Sequence, residues 1–224
     1  MKYIITEQQL KTILNEMPYP ESFNMDTFKS LTSYQKRIQY CKQHLQRIAE
    51  GSSRIAYKID DTKVLKLAKN GKGLIQNEGE ADLGYKNYYY TCLAEVFEFD
   101  EKNYTFVEME LARKCSPADF IRIVGFDLET VTKLIEHELH GDYRYRHLPK
   151  HDISQDDIEK YYENGFITNL VDLVHSAEVM IGDLKKPDSY GVVIRDGQEE
   201  VVVVDYGLTE QTFNKHYYKN KRGY

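Results

Sequence analysis

Tryptophan is absent from this 224-residue chain, and cysteine is scarce at three residues. Cys41, Cys92 and Cys115 lie far apart and form no C-x-x-C pair. That excludes a disulfide framework or a zinc site of that type, and leaves reduced, structural thiols. No apolar run approaches the ~18 residues that a membrane-spanning helix needs. The amino-terminal MKYIITEQQLKTILNEM carries Glu and Gln where a secretory leader would be apolar, so the expected location is the cytoplasm, with no membrane partner. Positive charge is also in deficit: the net charge of −6 argues against nucleic acid as a partner. The short basic run at Lys219, Lys221 and Arg222 reads as a solvated end. Internal repeats and low-complexity segments are missing too. What the chain does have is 41% hydrophobic and 29% charged residues, the balance of a folded globular protein with length for one domain or two small lobes. Tyrosine is abundant at 19, and Tyr88-Tyr89-Tyr90 reads as packing with hydroxyls at the rim rather than as a stacking platform.

The spacing of apolar residues divides the chain into three parts. Residues 1–48 read as a helical extension. Thr6 and Gln9 form a capping-box pattern ahead of Leu10, Ile13 and Leu14, and Pro18 and Pro20 interrupt. A second helix is predicted from Thr32 or Ser33, with Tyr34, Ile38, Cys41, Leu45 and Ile48 on one apolar stripe suited to packing on a body. Residues 49–112 switch to the two-residue period of strands: Ile55, Tyr57 and Ile59 alternate, and Val64 to Leu67 returns after Asp60-Asp61. A helix is expected from about Leu74 to Tyr89, then strands at Leu93–Phe99 and Tyr104–Leu111. Residues 113–224 are mainly helical, with helices at Leu128–Leu139, Ser154–Asn164 and Phe166–Met180. A hairpin, Gly191–Arg195 and Glu199–Val204, turns at Asp196-Gly197. The fold class is therefore α+β in two lobes.

Within this plan, VVVVDYGLT (Val201–Thr209) poses a question: a strand of four valines runs straight into a carboxylate. Asp205 and Gly207 either close the strand as turn residues or deliver a charge to a site. Other segments bear on the choice. Gly51, Ser52 and Ser53 sit between Glu50 and Arg54 in a turn without bulk, where backbone amides could approach phosphates. Lys66 lies among Val64, Leu65 and Leu67, and needs a partner unless it faces water at an edge. Glu78 and Glu80 follow on the next helix; two residues apart, they face different sides, so only one can meet Lys66. Glu110 and Ala112 mark a strand entering the connection between lobes, where backbone groups could meet a purine edge. Asp183 and Lys185 stand in Gly-Asp-Leu-Lys, followed by Asp188 and then Asp205.

In this order the segments resemble the motif set of the protein-kinase-like superfamily, over roughly residues 48–208. The resemblance implies a minimal two-lobed kinase-like fold that uses ATP and Mg²⁺. Lys66 would hold the α- and β-phosphates, paired with Glu80 or Glu78. Asp205 and Asp188 would bind the metal, Asp183 would orient or deprotonate the acceptor, and Lys185 would lie near the γ-phosphate. Asp205, Asp183 and Asp188 would then face one another across the cleft. Ile181-Gly182-Asp183 in place of His-Arg-Asp looks closer to kinases of small molecules, of the aminoglycoside or choline type. Asp188 stands where the family has Asn, and few residues follow Gly207, which leaves no room for an activation segment. In that shortness the chain resembles kinase-like proteins of bacteriophage genomes. Two functions follow from the resemblance. One is an ATP-dependent phosphotransferase acting on a small-molecule or protein acceptor. The other is a catalytically inactive pseudokinase, a binding or virion-associated module with a phage or host protein as partner.

Overall fold

The computed structural model describes residue 20 and residues 22–85 and 89–210. The first expected helix lies outside the described residues, as does Tyr88 of the Tyr88–Tyr90 run. The described chain begins with two helices, α1 (Met25–Ser30) and α2 (Tyr34–His44), each opened by a side-chain cap, Asn24 and Ser33. A five-stranded antiparallel sheet follows, from β1 (Gln46–Glu50), β2 (Arg54–Lys58), β3 (Lys63–Ala68), β4 (Val96–Phe99) and β5 (Phe106–Glu110), in the order β1-β2-β3-β5-β4. Helix α3 (Gly71–Gly84) connects β3 to β4, capped by Asn70. Four helices come next: α4 (Pro117–Val124), α5 (Leu128–Leu139), α6 (Gln155–Tyr162) and α7 (Gly165–Ala177). A single helical turn, α8 (Ile181–Leu184), leads to a hairpin of β7 (Tyr190–Arg195) and β8 (Gln198–Val203). The short strand β6 (Arg113–Lys114) adds to that hairpin and joins the lobes. The architecture is the two-lobed α+β expected.

Pleating decides which residues reach the cleft. On β2, Ile55 and Tyr57 turn to one face, with Ile59 just beyond the strand; on β3, Leu65 and Leu67 do the same. These residues, with Phe106, pack under Phe23, Phe28, Ile38, Cys41 and Leu45, so α1 and α2 roof the outer face of the sheet. Arg54, Ala56, Val64 and Lys66 are left on the inner face, with Ala56 paired to Lys66 and Arg54 to Ala68. That inner face shares one core with the helical lobe: Val64, Val96, Val107 and Met109 join Leu134, Ile135, Leu170 and Val202. The three cysteines are free and buried, as expected of structural thiols.

Several boundaries differ from those expected. The helix of Tyr34 ends at His44, and Leu45 caps it. Ile48 lies instead on β1, an edge strand, and is 45% exposed. The three-and-four apolar spacing runs past the end of the helix by chance, because an edge strand needs no strict inward face. The Asp196-Gly197 turn does form, with φ of 51° and 80°, the paired left-handed residues that a two-residue hairpin loop demands. Among the described residues, no helix is long and apolar enough to cross a membrane.

Candidate functional site

Helix α3 is the element that assembles the cleft. It contains Gly73, Gly79 and Gly84, and each is in contact with another segment. A Cβ at Gly79 would lie 2.4 Å from the Gly207 carbonyl oxygen, and one at Gly84 would lie 2.0 Å from the Tyr206 hydroxyl. Gly207 is equally confined, its own Cβ position being 2.1 Å from the Gln76 carbonyl oxygen. Asp-Tyr-Gly therefore lies flat along α3. Tyr206 is fully buried and donates to the Ala94 carbonyl at 2.7 Å, and burial pushes its hydroxyl well above the ordinary tyrosine value.

With α3 so close, Glu80 faces the inner side of the sheet. Lys66 Nζ meets Glu80 Oε1 at 2.8 Å and donates to the Val204 carbonyl at 2.5 Å. Of the two partners expected for Lys66, the structure pairs it with Glu80. Glu78 lines a groove of about 780 Å³ beside the start of α3 instead, with Asn70, Lys72 and Tyr104. Burial pushes the Lys66 ammonium below the usual lysine value, opposed by Glu80. The valine question is answered here in part. Val201, Val202 and Val203 are buried, Val204 presents its carbonyl to Lys66, and Asp205 emerges with its side chain 54% exposed.

Arg54 was not among the expected site residues, yet it occupies the centre. Its Nη2 meets Asp205 Oδ1 at 2.5 Å and its Nη1 lies 2.7 Å from Glu80 Oε2. Lys66, Glu80, Arg54 and Asp205 form a self-neutral quartet. Burial works against the charge on Asp205, but Arg54 and then Lys66 hold its carboxyl below the usual carboxylate value. Alternation puts Arg54 on the opposite face of β2 from Ile55 and Tyr57, and the register of β2 against β3 makes that the face of Lys66.

The other expected residues are distributed around this quartet. Ser52 and Gly51 are tied to the beginning of α3, where Asn70 Nδ2 donates to the Ser52 carbonyl at 3.1 Å and Lys69 Nζ to that of Gly51 at 3.1 Å. Ser53 Oγ reaches Gln76 Oε1 at 2.5 Å. Glu110 is drawn away from the cleft by Arg195, at 2.6 Å, while Ala112 packs where a Cβ on Gly191 would come within 2.3 Å. Asp183 Oδ1 meets Lys186 Nζ at 2.5 Å. That bond to Asp183 holds the Lys186 ammonium above the usual lysine value, and the charge of Asp205 adds to it more weakly. Lys185 turns to buried Glu136 at 2.5 Å, and His151 Nε2 meets the other oxygen of Glu136, also at 2.5 Å. Nothing in the sequence pointed to that cluster.

The three facing carboxylates expected at the cleft do not form. Asp188 is 88% exposed and lies 3.4 Å from Lys114. A carboxylate left so open has no reason to fold inward against Asp205, whose charge Arg54 already balances. Among the described residues, no group of three or more His, Cys, Asp or Glu is placed to hold a metal ion. A divalent cation of the Mg²⁺ type is held by one or two carboxylates beside phosphates, and the two expected to hold it, Asp205 and Asp188, are each paired with a cation of the chain instead, Arg54 and Lys114.

No family model matches the chain, and no curated protein matches it either. Among solved structures it is similar to the GDP and kanamycin complex of APH(2")-IIia, at 14% identity and a TM-score of 0.36, over 82% of this chain and 70% of that one. It is also similar to ADP-bound aminoglycoside phosphotransferase APH(2'')-Ib, at 12% identity and a TM-score of 0.32, over 78% and 69% of the two chains. A third is the streptomycin-ATP-APH(2")-IIa ternary complex, at 13% identity and a TM-score of 0.32, over 79% and 72%. Likeness at these levels says nothing of what this chain binds.

Proposed function

We propose that the cleft between the sheet and the β7–β8 hairpin binds a nucleotide, and that the chain is a nucleotide-dependent phosphotransferase. The observation that carries this reading is the Lys66–Glu80 pair, set on the inner face of β3 beside the strand end that delivers Asp205. A buried ammonium held by one carboxylate and one carbonyl is a fixed cation at the mouth of the cleft, suited to the α- and β-phosphates of ATP. The compact Gly51–Ser53 turn on the same side lets backbone amides come near the phosphates. Asp183 has one oxygen on Lys186, so its other oxygen would accept the acceptor's proton. The acceptor oxygen would form its bond to the γ-phosphorus as the bond to the β-phosphate oxygen breaks, and ADP would leave. The acceptor is a small molecule or a protein bearing a hydroxyl.

A second reading has its own observation. The Arg54–Asp205 ion pair and the outward position of Asp188 suit a pseudokinase, a module that keeps the fold for binding. Incubating the protein with γ-labelled ATP and candidate acceptors separates the two. The first reading expects labelled product that disappears with Asp183→Asn while ATP binding remains; binding without label at any acceptor would favour the second.

A further inference from the structure

The self-neutral quartet places a guanidinium where a kinase-like site would need an open carboxylate. Three features of the geometry matter. First, Arg54 is not a surface cation that happens to lie nearby, because its side chain is only 11% exposed and it bridges two acidic groups from different elements, α3 and the end of β8. A planar guanidinium can serve two carboxylates at once, which a lysine ammonium in the same place would do poorly. Secondly, the shortest contact of Arg54 is the one to Asp205. Nη2 donates to Asp205 Oδ1 at 2.5 Å, whereas no hydrogen of Nη1 is directed at Glu80 Oε2 and Nη1 donates at 3.5 Å to Asn77 Oδ1. Glu80 Oε2 is consequently a buried carboxylate oxygen with no hydrogen bond, neutralised by Arg54 at 2.7 Å but not satisfied by it. Thirdly, neither Asp183 nor Asp188 supplies a substitute, since one is held by Lys186 and the other stands outside near Lys114.

From this we propose that Arg54 is the cation of the site, occupying the place of a divalent ion at Asp205 and excluding such ions until the guanidinium is drawn away. The proposal rests on the reading of Asp205 as the carboxylate that faces the phosphates, but not on any nucleotide being bound. A cation approaching Asp205 meets a carboxylate already compensated, and repulsion from Arg54 and Lys66 adds to that. Phosphate oxygens are the ligand chemistry able to take Arg54 from Asp205, because they accept the same charge-assisted, two-pronged hydrogen bonds. The resting cleft is then closed to free metal.

The test uses Mn²⁺ alone, titrated into the full chain without nucleotide and followed by the paramagnetic resonance of the free ion. Wild type is expected to bind Mn²⁺ at the cleft only weakly. Arg54→Gln is expected to bind it about tenfold more tightly or better, from loss of a nearby like charge. Since Gln leaves Glu80 without its cation and could impair folding, Arg54→Lys is the second variant: it keeps a charge beside Glu80 but cannot span to Asp205, and should show a smaller gain in the same direction. Adding Asp205→Asn to either variant should remove the gain. Equal binding by wild type and Arg54→Lys would overturn the proposal, as would tight binding by wild type that Asp205→Asn abolishes, or a gain that survives Asp205→Asn. The Mn²⁺ gain in a chain that never binds ATP would instead retire the phosphotransferase reading and leave Arg54 in its role.

Discussion

At the scale of the residue, Asp205 shows how one neighbour reverses an expectation. Three carboxylates around the cleft would repel, and removing one would stabilise the protein without ligand. With Arg54 bonded to Asp205 Oδ1 at 2.5 Å, the sign changes. Asp205→Asn should lower the melting temperature of the ligand-free protein by ~2–4 °C, the shift that about 1 kcal/mol produces in a chain of this size, measured by differential scanning calorimetry. A rise in melting temperature would mean that repulsion dominates after all. Lys66 was legible in the sequence because an ammonium among Val64, Leu65 and Leu67 demanded an explanation. Arg54 was not, because an arginine beside a Gly-Ser-Ser turn reads equally as solvated.

At the scale of the element, α3 is built for close approach. Glycine inside a helix ordinarily costs about 1 kcal/mol relative to alanine, so three of them mark a helix shaped by its neighbours. Gly79 has the Gly207 carbonyl 2.4 Å from where a Cβ would lie, and backbone cannot give way as a side chain can. Gly79→Ala should therefore destabilise by ~1–3 kcal/mol, the usual range for overpacking. Gly71 opens the same helix with nothing within 4 Å, and Gly71→Ala should be neutral or slightly stabilising. Urea denaturation of the two variants makes the comparison, and equal effects would show that α3 and Asp-Tyr-Gly are not in tight contact. The outer roof is testable in the same way. Phe28 is fully buried against Phe106, and Phe28→Ala should cost ~3–5 kcal/mol.

At the scale of the whole molecule, the period-two and period-three-to-four patterns were enough to give both lobes, the hairpin and the helix of Leu128–Leu139 to the residue. They missed α1, α4 and β1, because short elements carry too few apolar positions to establish a period and Ile48 prolonged a helical pattern into a strand. The Glu136, His151 and Lys185 cluster was beyond reach, since its members come from three separated segments that only the packed fold brings together. Charge gives the molecule a common response to acid. The Arg144 guanidinium holds Asp142 down to about 2, and Arg113, ahead of Ser116 and Arg122, holds Asp119 lower still. A carboxyl depressed on folding contributes stability that is complete above its unfolded value, near 4, and is lost as pH falls towards the folded one. Stability should stay level from neutral pH to about pH 5 and fall between about 4 and 2, and Asp142→Asn should make that fall shallower in guanidinium titrations at stepped pH. Whether the inner face of β3 holds phosphate is tested most directly by calorimetric titration of ATP into wild type and Lys66→Met. Wild type should bind saturably, and Lys66→Met should bind about tenfold more weakly or worse, as loss of a charge-assisted contact requires, with its cooperative unfolding retained. Undiminished binding by Lys66→Met, or none by wild type, would contradict a nucleotide site at Lys66.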